Sequence, residues 1–449
     1  MSGEGSTSAL LTDLYELTMA AGYFAAGISE EQATFELTIR RLPAGRNYAI
    51  AAGLAQAVEY LGSARFGEED IRFLRSLPQF ARASEEFFDR LRRFHFSGDL
   101  FAMREGTPVF GGEPILTVRA PLIEAQVAET YLLASIGFQS MVAAKAARIV
   151  RAAEGRPVVE FGTRRAHSPQ AGVLAGRAAY IAGCAGTSNT LAGSRFGIPV
   201  YGTAAHSWVL AFPDEETAFR RLQDLLGEAT IYIVDTYDTL DGVRKAASLG
   251  NPLWGIRLDS GDLLELSKRA RVILDSAGLA HARIMATGDL NEHKIRDLVE
   301  AGAPINTFGV GTELATSADA PNLGVVYKLV ELNSDGIRRY TAKFSEDKRT
   351  YPGAKQVFRY RDHDEIACKW ECRPPESARP LIHPILVGGE LVEPLPDIAE
   401  VRSYAGKAVA ELPPDCIRLE SPEPYRAEYT TALLGLAEEA RGRMGEQGS

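Results

Sequence analysis

Between residues 157 and 310, short apolar runs recur, each closed by a Gly- or Asp-containing loop and followed by a helical pattern. The strand-length runs are Pro157–Phe161, Pro199–Tyr201, Ile231–Val234, Gly255–Leu258, Arg283–Ala286 and Thr307–Val310. Strands separated by helices pair in parallel, because each helical crossover returns the chain to the same end of the sheet. Six such units at this spacing predict an α/β barrel rather than an open sheet. In a barrel of this kind the loops after the strands carry the chemistry, so those loops are where functional residues are sought.

The flanking segments read differently. Thr12 and Asp13 are expected to cap a helix that begins at Leu14. Residues 33–39 alternate as a strand, and Arg40, Arg41 and Arg46 follow around Leu42-Pro43-Ala44-Gly45. Helical patterns run through 50–63, 67–76 and 83–92, short strands through 99–119, and a long helical region from 121 to about 152. Beyond the barrel, the stretches 321–332 and 337–342 read as an antiparallel pair joined by Asn333-Ser334-Asp335-Gly336. The expected organisation is an N-terminal α+β domain over 1–130, the barrel over 131–355, and a C-terminal segment over 356–449 that packs back on the N-terminal domain.

At 449 residues the chain exceeds one ordinary core, and 45% hydrophobic with 24% charged residues is the balance of a globular enzyme. A formal net charge of −10 argues against nucleic acid or an anionic membrane as the main partner, while leaving room for a local cationic pocket. No run reaches membrane-spanning length, and the start lacks the regions of a signal peptide, so a cytoplasmic location is expected. Four cysteines form no disulfide framework, and Cys368 and Cys372 lack the second ligand pair that a structural zinc site needs. There is no Walker A loop, no G-x-G-x-x-G and no H-E-x-x-H.

The polar residues after the strands form a pattern. His206 follows the apolar run Ile198, Val200 and Tyr201, among the small residues of Gly202-Thr203-Ala204-Ala205. A lone histidine is often structural, but this one sits past a strand end, which makes it the first candidate for chemistry. Arg164 and Arg165 follow the first barrel strand and could hold a carboxylate or phosphate in a planar fork. Arg257 and Asp259 alternate onto one strand face; the plain alternative is an intrastrand ion pair with an N-cap at Ser260 or Asp262. Gly288 and Asp289 repeat the strand-then-acid arrangement, and Gly309-Val310-Gly311-Thr312 offers backbone N–H groups for a phosphate. Lys343, Lys348, Arg349 and Lys355 make a basic run whose ordinary reading is a solvated face. Acids, cations and N–H cradles at one mouth suit a polyphosphorylated sugar neutralised by Mg²⁺.

These stretches carry a family resemblance. Thr12-Asp13-Leu14-Tyr15, residues 160–165, 202–207, 257–263 and 308–312 occur in the order found in nicotinate phosphoribosyltransferases, which the chain resembles along almost its whole length. The resemblance implies a type II phosphoribosyltransferase: an irregular α/β barrel with an α/β sandwich domain, acting as a homodimer with shared active sites. It implies the condensation of nicotinate with phosphoribosyl pyrophosphate, coupled to ATP and assisted by Mg²⁺, in NAD salvage. By the same resemblance, Tyr15 from the neighbouring subunit would stack on the pyridine ring, and Thr203, Arg257, Phe161, Arg164 and Ser188 would hold nicotinate. Thr312, Gly309, Gly311, Gly288, Asp289, Arg40 and Lys343 would bind phosphoribosyl pyrophosphate, His206 would be transiently phosphorylated, and Arg257 and Asp259 would serve catalysis.

Three other readings compete: a nicotinamide-using relative, a decarboxylating quinolinate enzyme, and a non-catalytic nucleotide sensor. Ser188 bears on the first. Nicotinamide's NH₂ needs an acceptor, which nicotinamide-using relatives supply with Asp in Gly-Thr-Asp, whereas Ser188 in Gly186-Thr187-Ser188 can donate to a carboxylate. The alternative is that Ser188 is only a helix N-cap. A quinolinate pocket would need more cations and no His206, and a sensor would not need the full set of acids and arginines at the mouth.

Overall fold

In the computed structural model, which describes residues 7–343, 350–374 and 376–446, the alternating stretch forms a six-stranded parallel sheet. Its order is Ile231–Ile233, Gly255–Leu258, Arg283–Ala286, Thr307–Val310, Val158–Glu160 and Gly186–Thr187. Every pairing is parallel. The strands are short and apolar because both faces are covered: Ile256, Leu258, Ile284, Phe308 and Val310 are fully buried.

The expected strand at Pro199–Tyr201 is not one. Val200 makes only an isolated bridge to Thr187, and Val200 and Tyr201 are 47% and 46% exposed. Pro199 offers no backbone donor, so the segment gives Thr187 one acceptor and takes one bond back through the Tyr201 N–H. The sixth strand is Gly186–Thr187, whose two small residues carry no apolar signal. Glycine is required there, since a Cβ at Gly186 would lie 2.2 Å from the Pro199 carbonyl oxygen. The ladder is therefore irregular at this edge, continued by a single bridge rather than a paired strand.

The chain divides into two compact units. One contains Met141–Pro321 with Ile398–Gly406, and so holds the whole parallel sheet. The other joins the described residues up to Ser140 to Asn322–Asp397 and to those from Lys407 on. Residues 322–355, expected within the barrel, belong to this other unit, because Val325–Ser334 pairs along its length with Gln32–Ile39.

That unit is built on a seven-stranded antiparallel sheet. Its order is Ile337–Tyr340, Val325–Ser334, Gln32–Ile39, Pro114–Pro121, Asp99–Met103, Ile382–Val387 and Glu390–Leu391. The hairpin at 334–337 turns through Asp335 at φ 51° and Gly336 at φ 79°, the left-handed pair that its sequence predicts. A second sheet pairs Arg379–Pro380, Lys355–Arg359, His363–Cys368 and Arg426–Tyr429.

Two local expectations fail here. The helix Leu14–Ala25 starts after Asp13, but the Asp13 side chain makes no cap bond and instead accepts from the Thr130 hydroxyl. Lys355 is buried rather than solvated: its ammonium meets Glu36 at 2.6 Å and bonds two backbone carbonyls. Burying that charge is tolerable only because all its donors are satisfied. Lys348 and Arg349 lie outside the described residues. Among the described residues no helix is long and apolar enough to cross a membrane.

Candidate active site

The C-terminal ends of four adjacent strands converge on a cavity of about 260 Å³. Phe161, Arg164 and Arg165 reach it from beyond Val158–Glu160, and Arg257 and Asp259 from the end of Gly255–Leu258. Thr287, Gly288 and Asp289 come from the loop after Arg283–Ala286, and Gly309, Gly311 and Thr312 from the end of Thr307–Val310. Parallel strands present their loops at one end, which is why residues more than 150 positions apart in sequence meet here.

Arg257 is the most constrained of these side chains. It is buried, and its Nε donates to Thr287 Oγ1 at 2.8 Å, Nη1 to Thr203 Oγ1 at 2.7 Å and Nη2 to Asp259 Oδ1 at 2.7 Å. The Thr287 hydroxyl also donates to Asp259 Oδ1, closing the triangle. A guanidinium has five N–H donors, so one remains on each terminal nitrogen, a pair that can take a carboxylate. The guanidinium carbon stands 5.9 Å from the centre of the Phe161 ring. Both sequence-based alternatives for this strand hold in part: the ion pair exists, and Asp262 is the N-cap of the helix Leu263–Ser276.

Burial works to raise the Asp259 pKa, but the Thr287 hydrogen bond, the Arg257 guanidinium and His206 outweigh it and hold the carboxyl below the usual aspartate range. Arg164 and Arg165 are exposed at the cavity edge and, among the described residues, pair with no carboxylate. They are the free cations of the site.

His206 opens the short helix His206–Leu210 and does not line the cavity, but its ring reaches residues that do. Nδ1 lies 3.2 Å from Thr236 Oγ1, and Nε2 lies 3.7 Å from Asp259 Oδ2 and 4.0 Å from Asp235 Oδ1. Asp235 is buried. Its Oδ2 accepts from the Asp259 N–H at 3.2 Å and from Ser260 Oγ at 2.5 Å, while Oδ1 has no hydrogen-bond partner among the described residues. A buried carboxylate oxygen without a donor, facing an imidazole, can orient the ring.

Two glycines are fixed by space rather than by flexibility alone. Gly288 has φ +89°, and a Cβ there would meet the Asp259 carbonyl oxygen at 2.0 Å. A Cβ at Gly309 would press on the Phe161 ring and Thr287 Cγ2, each at 2.6 Å. Both close approaches keep the cavity floor thin, so that backbone rather than side chain faces a ligand. Deeper in, Glu160 accepts from the Thr187 hydroxyl at 2.6 Å and from the Gly162 N–H, with burial pushing its pKa up.

Other predicted site residues do not line this cavity. Ser188 is half-buried and donates its N–H to the Glu160 carbonyl; it is not a cap, because Asn189 holds that position before Thr190–Phe196 and accepts from the Ala192 N–H. Tyr15 lies on the helix Leu14–Ala25 of the other unit. Arg40 lines a separate cavity of about 90 Å³ with Lys328 and Lys355, and the Lys343 N–H bonds Thr350 Oγ1. Sequence reasoning did not single out Thr287, Asp235 or Thr236. The signal was present in Val234-Asp235-Thr236, which repeats the strand-then-acid arrangement of Leu258-Asp259. Among the described residues no group of three His, Cys, Asp or Glu side chains could hold a metal ion.

Comparison with known proteins extends over most of the chain. The sequence profile of the nicotinate phosphoribosyltransferase (NAPRTase) family matches residues 157–343, that of the NAPRTase N-terminal domain residues 10–137, and that of the C-terminal domain residues 346–437. Nicotinate phosphoribosyltransferase pncB2 of Mycobacterium tuberculosis (strain ATCC 25618 / H37Rv) is 46% identical over 424 residues, covering 92% of this chain and 89% of the relative. The nicotinate phosphoribosyltransferase of Bacillus subtilis (strain 168) is 40% identical over 457 residues, covering 94% and 92%. The crystal structure of human nicotinic acid phosphoribosyltransferase superposes with a TM-score of 0.83 at 30% identity, covering 96% of this chain and 99% of that one.

Proposed function

Because the chain belongs to the nicotinate phosphoribosyltransferase family, we propose that its chemistry takes place in the Arg257 cavity. The enzyme is a nicotinate phosphoribosyltransferase of NAD salvage from nicotinate, with the mixed α/β fold of a type II phosphoribosyltransferase. The observation that carries the site assignment is the Arg257 triangle, a buried guanidinium fixed by three side chains with two donors to spare.

In this reading those two donors take the nicotinate carboxylate. Phe161 offers its ring beside the pyridine, Thr203 and Arg164 complete the pocket, and Ser188, outside the cavity lining, is the candidate for telling carboxylate from carboxamide. Phosphoribosyl pyrophosphate lies across the mouth. Its 5-phosphate rests on Gly309, Gly311 and Thr312, where the first N–H groups of Thr312–Ala315 have no intrahelical acceptor. Gly288 and Asp289, which line the cavity, are assigned to the sugar and pyrophosphate. The bond from C1 of the ribose to pyrophosphate breaks, the ring nitrogen of nicotinate supplies its lone pair to C1, and the pyrophosphate leaves with the electron pair. No proton need be removed from the nucleophile, so alignment and charge stabilisation supply the rate rather than a general base.

Mg²⁺ fits the acids present. A phosphate-borne Mg²⁺ needs only one or two protein carboxylates, and Asp259 and Asp289 both line the cavity. It would neutralise the leaving pyrophosphate. The terminal phosphate of ATP would pass to a ring nitrogen of His206, the new N–P bond replacing the bond to the bridging oxygen and ADP leaving with that electron pair; Thr236 and Asp235 hold the ring in place. Tyr15, exposed on its helix, would enter the site of a neighbouring copy in a homodimer. Leu191, Val200, Tyr201, Leu210 and Tyr237 are 46–62% exposed, apolar surface of the kind that a second subunit covers.

The test is pyrophosphate release from phosphoribosyl pyrophosphate with nicotinate, nicotinamide or quinolinate, each with and without ATP. Release with nicotinate that ATP stimulates is the expected result. Equal turnover of nicotinamide or quinolinate would overturn the assignment of the pocket.

A further inference from the structure

Lys145 is a charged side chain in the apolar helical stretch Met141-Val142-Ala143-Ala144-Lys145-Ala146, and it is only 2% exposed. Its ammonium faces three carboxylates: Glu292 Oε2 at 2.7 Å, Asp319 Oδ1 at 2.8 Å and Glu313 Oε2 at 3.4 Å. Arg148, one turn along the same helix, meets the other oxygen of Glu292 at 3.0 Å. Burial works to raise the Glu292 pKa, and the two cations outweigh it.

The three acids belong to two different loops of the candidate site. Glu292 is the first residue of the helix Glu292–Glu300, at the end of the loop that carries Thr287, Gly288 and Asp289. Glu313 follows Thr312 in the short helix after Gly309 and Gly311, and Asp319 closes the same segment. We propose that Lys145 is a positioning residue for the phosphate side of the site, its buried ammonium clamping the loop after Thr307–Val310 against the loop after Arg283–Ala286. The inference rests on the assignment of Thr312 to phosphate binding made above.

The electrostatics give the clamp its direction. The Glu313 side chain is 30% exposed, so without the ammonium it can turn to water, and Asp319, 41% exposed, loses its buried cation. Glu292 is buried, repels both, and keeps Arg148 as its own partner. Loss of Lys145 therefore frees the Thr312 segment while leaving the core charge compensated, and the hydroxyl and N–H groups that should meet the phosphate lose their fixed spacing. The Thr287 hydroxyl that holds Arg257 lies on the Glu292 side of the clamp, which Arg148 continues to hold, so the nicotinate side is the less affected.

The experiment measures KM for phosphoribosyl pyrophosphate and for nicotinate separately in Lys145→Met, Lys145→Arg and the double variant Glu313→Gln/Asp319→Asn, with Thr312→Val as the reference. Lys145→Met and the double variant are expected to raise KM for phosphoribosyl pyrophosphate about tenfold, the equivalent of about 1.4 kcal/mol, and to leave KM for nicotinate within about twofold of the parent. Lys145→Arg should recover part of the loss. The double variant removes only partly exposed charges, so it reports even if Lys145→Met fails to fold. If Thr312→Val raises KM for phosphoribosyl pyrophosphate and the double variant does not, the clamp is refuted and the site assignment stands. If Thr312→Val has no effect either, the assignment falls and the inference with it.

Discussion

Asp259 Oδ1 accepts from both Arg257 Nη2, at 2.7 Å, and the Thr287 hydroxyl, so one oxygen ties two neighbouring strands at the mouth of the cavity. Asp259 Oδ2 faces His206 at 3.7 Å. One carboxylate thus links the proposed nicotinate anchor to the proposed phosphate acceptor, and it organises the predictions that follow.

Arg257→Ala should remove the carboxylate anchor and leave Asp259 without its guanidinium. Truncating one partner of a buried charge-assisted contact costs about 2–5 kcal/mol, so kcat/KM for nicotinate should fall by roughly one and a half to three and a half orders of magnitude. Far-ultraviolet circular dichroism should stay that of the parent. A folded variant with parental kinetics would refute the role.

Incubation with labelled ATP should place an acid-labile, alkali-stable phosphate on the parent enzyme. His206→Ala should abolish that label and the ATP hydrolysis that accompanies it, while slow transfer without ATP persists because the Arg257 triangle is intact. Asp235→Asn should weaken the labelling by loosening the ring. A label that survives His206→Ala would move the acceptor elsewhere.

Ser188→Asp should discriminate between substrate carboxylate and carboxamide. Asn189 and not Ser188 caps the following helix, so the substitution should leave the melting temperature near that of the parent. Two carboxylates set against each other in a poorly solvated pocket cost several kcal/mol, and nicotinate turnover should fall accordingly, by more than about tenfold. Nicotinate efficiency within about twofold of the parent would exclude Ser188 from the pocket.

Glu16 provides a test of stability against pH. It is fully buried, takes one bond from the Thr130 hydroxyl at 2.8 Å, and has no partner on Oε2 among the described residues. Burial, with Glu129 adding to it, pushes its pKa up to about 7. A folded pKa above the unfolded value means stability that is full below the unfolded pKa and is lost as pH rises towards 7. Glu16→Gln, which mimics the protonated form, should therefore melt higher than the parent at pH 8, with the difference closing on the acid side. Equal melting curves at pH 8 would show that Glu16 is ionised in the fold at no cost.

Local patterns carried much of this protein on their own. Five of the six barrel strands, the hairpin at Asp335-Gly336 and the shared face of Arg257 and Asp259 follow from period, turn chemistry and alternation, which act over a few residues. A few residues are also the range over which sequence reasoning has physical force.

Tertiary structure decided the rest. The Gly186–Thr187 strand is set by the approach of Pro199, not by its own two residues. Lys355 was buried by Glu36 at a separation of 319 residues, and Lys145 by Glu292 at 147. Thr287 and Asp235 became part of the site only when their strands were placed beside Gly255–Leu258. A buried charge or hydroxyl is tolerated for the partner it meets, and the sequence near it carries no record of a partner that the chain delivers from far away.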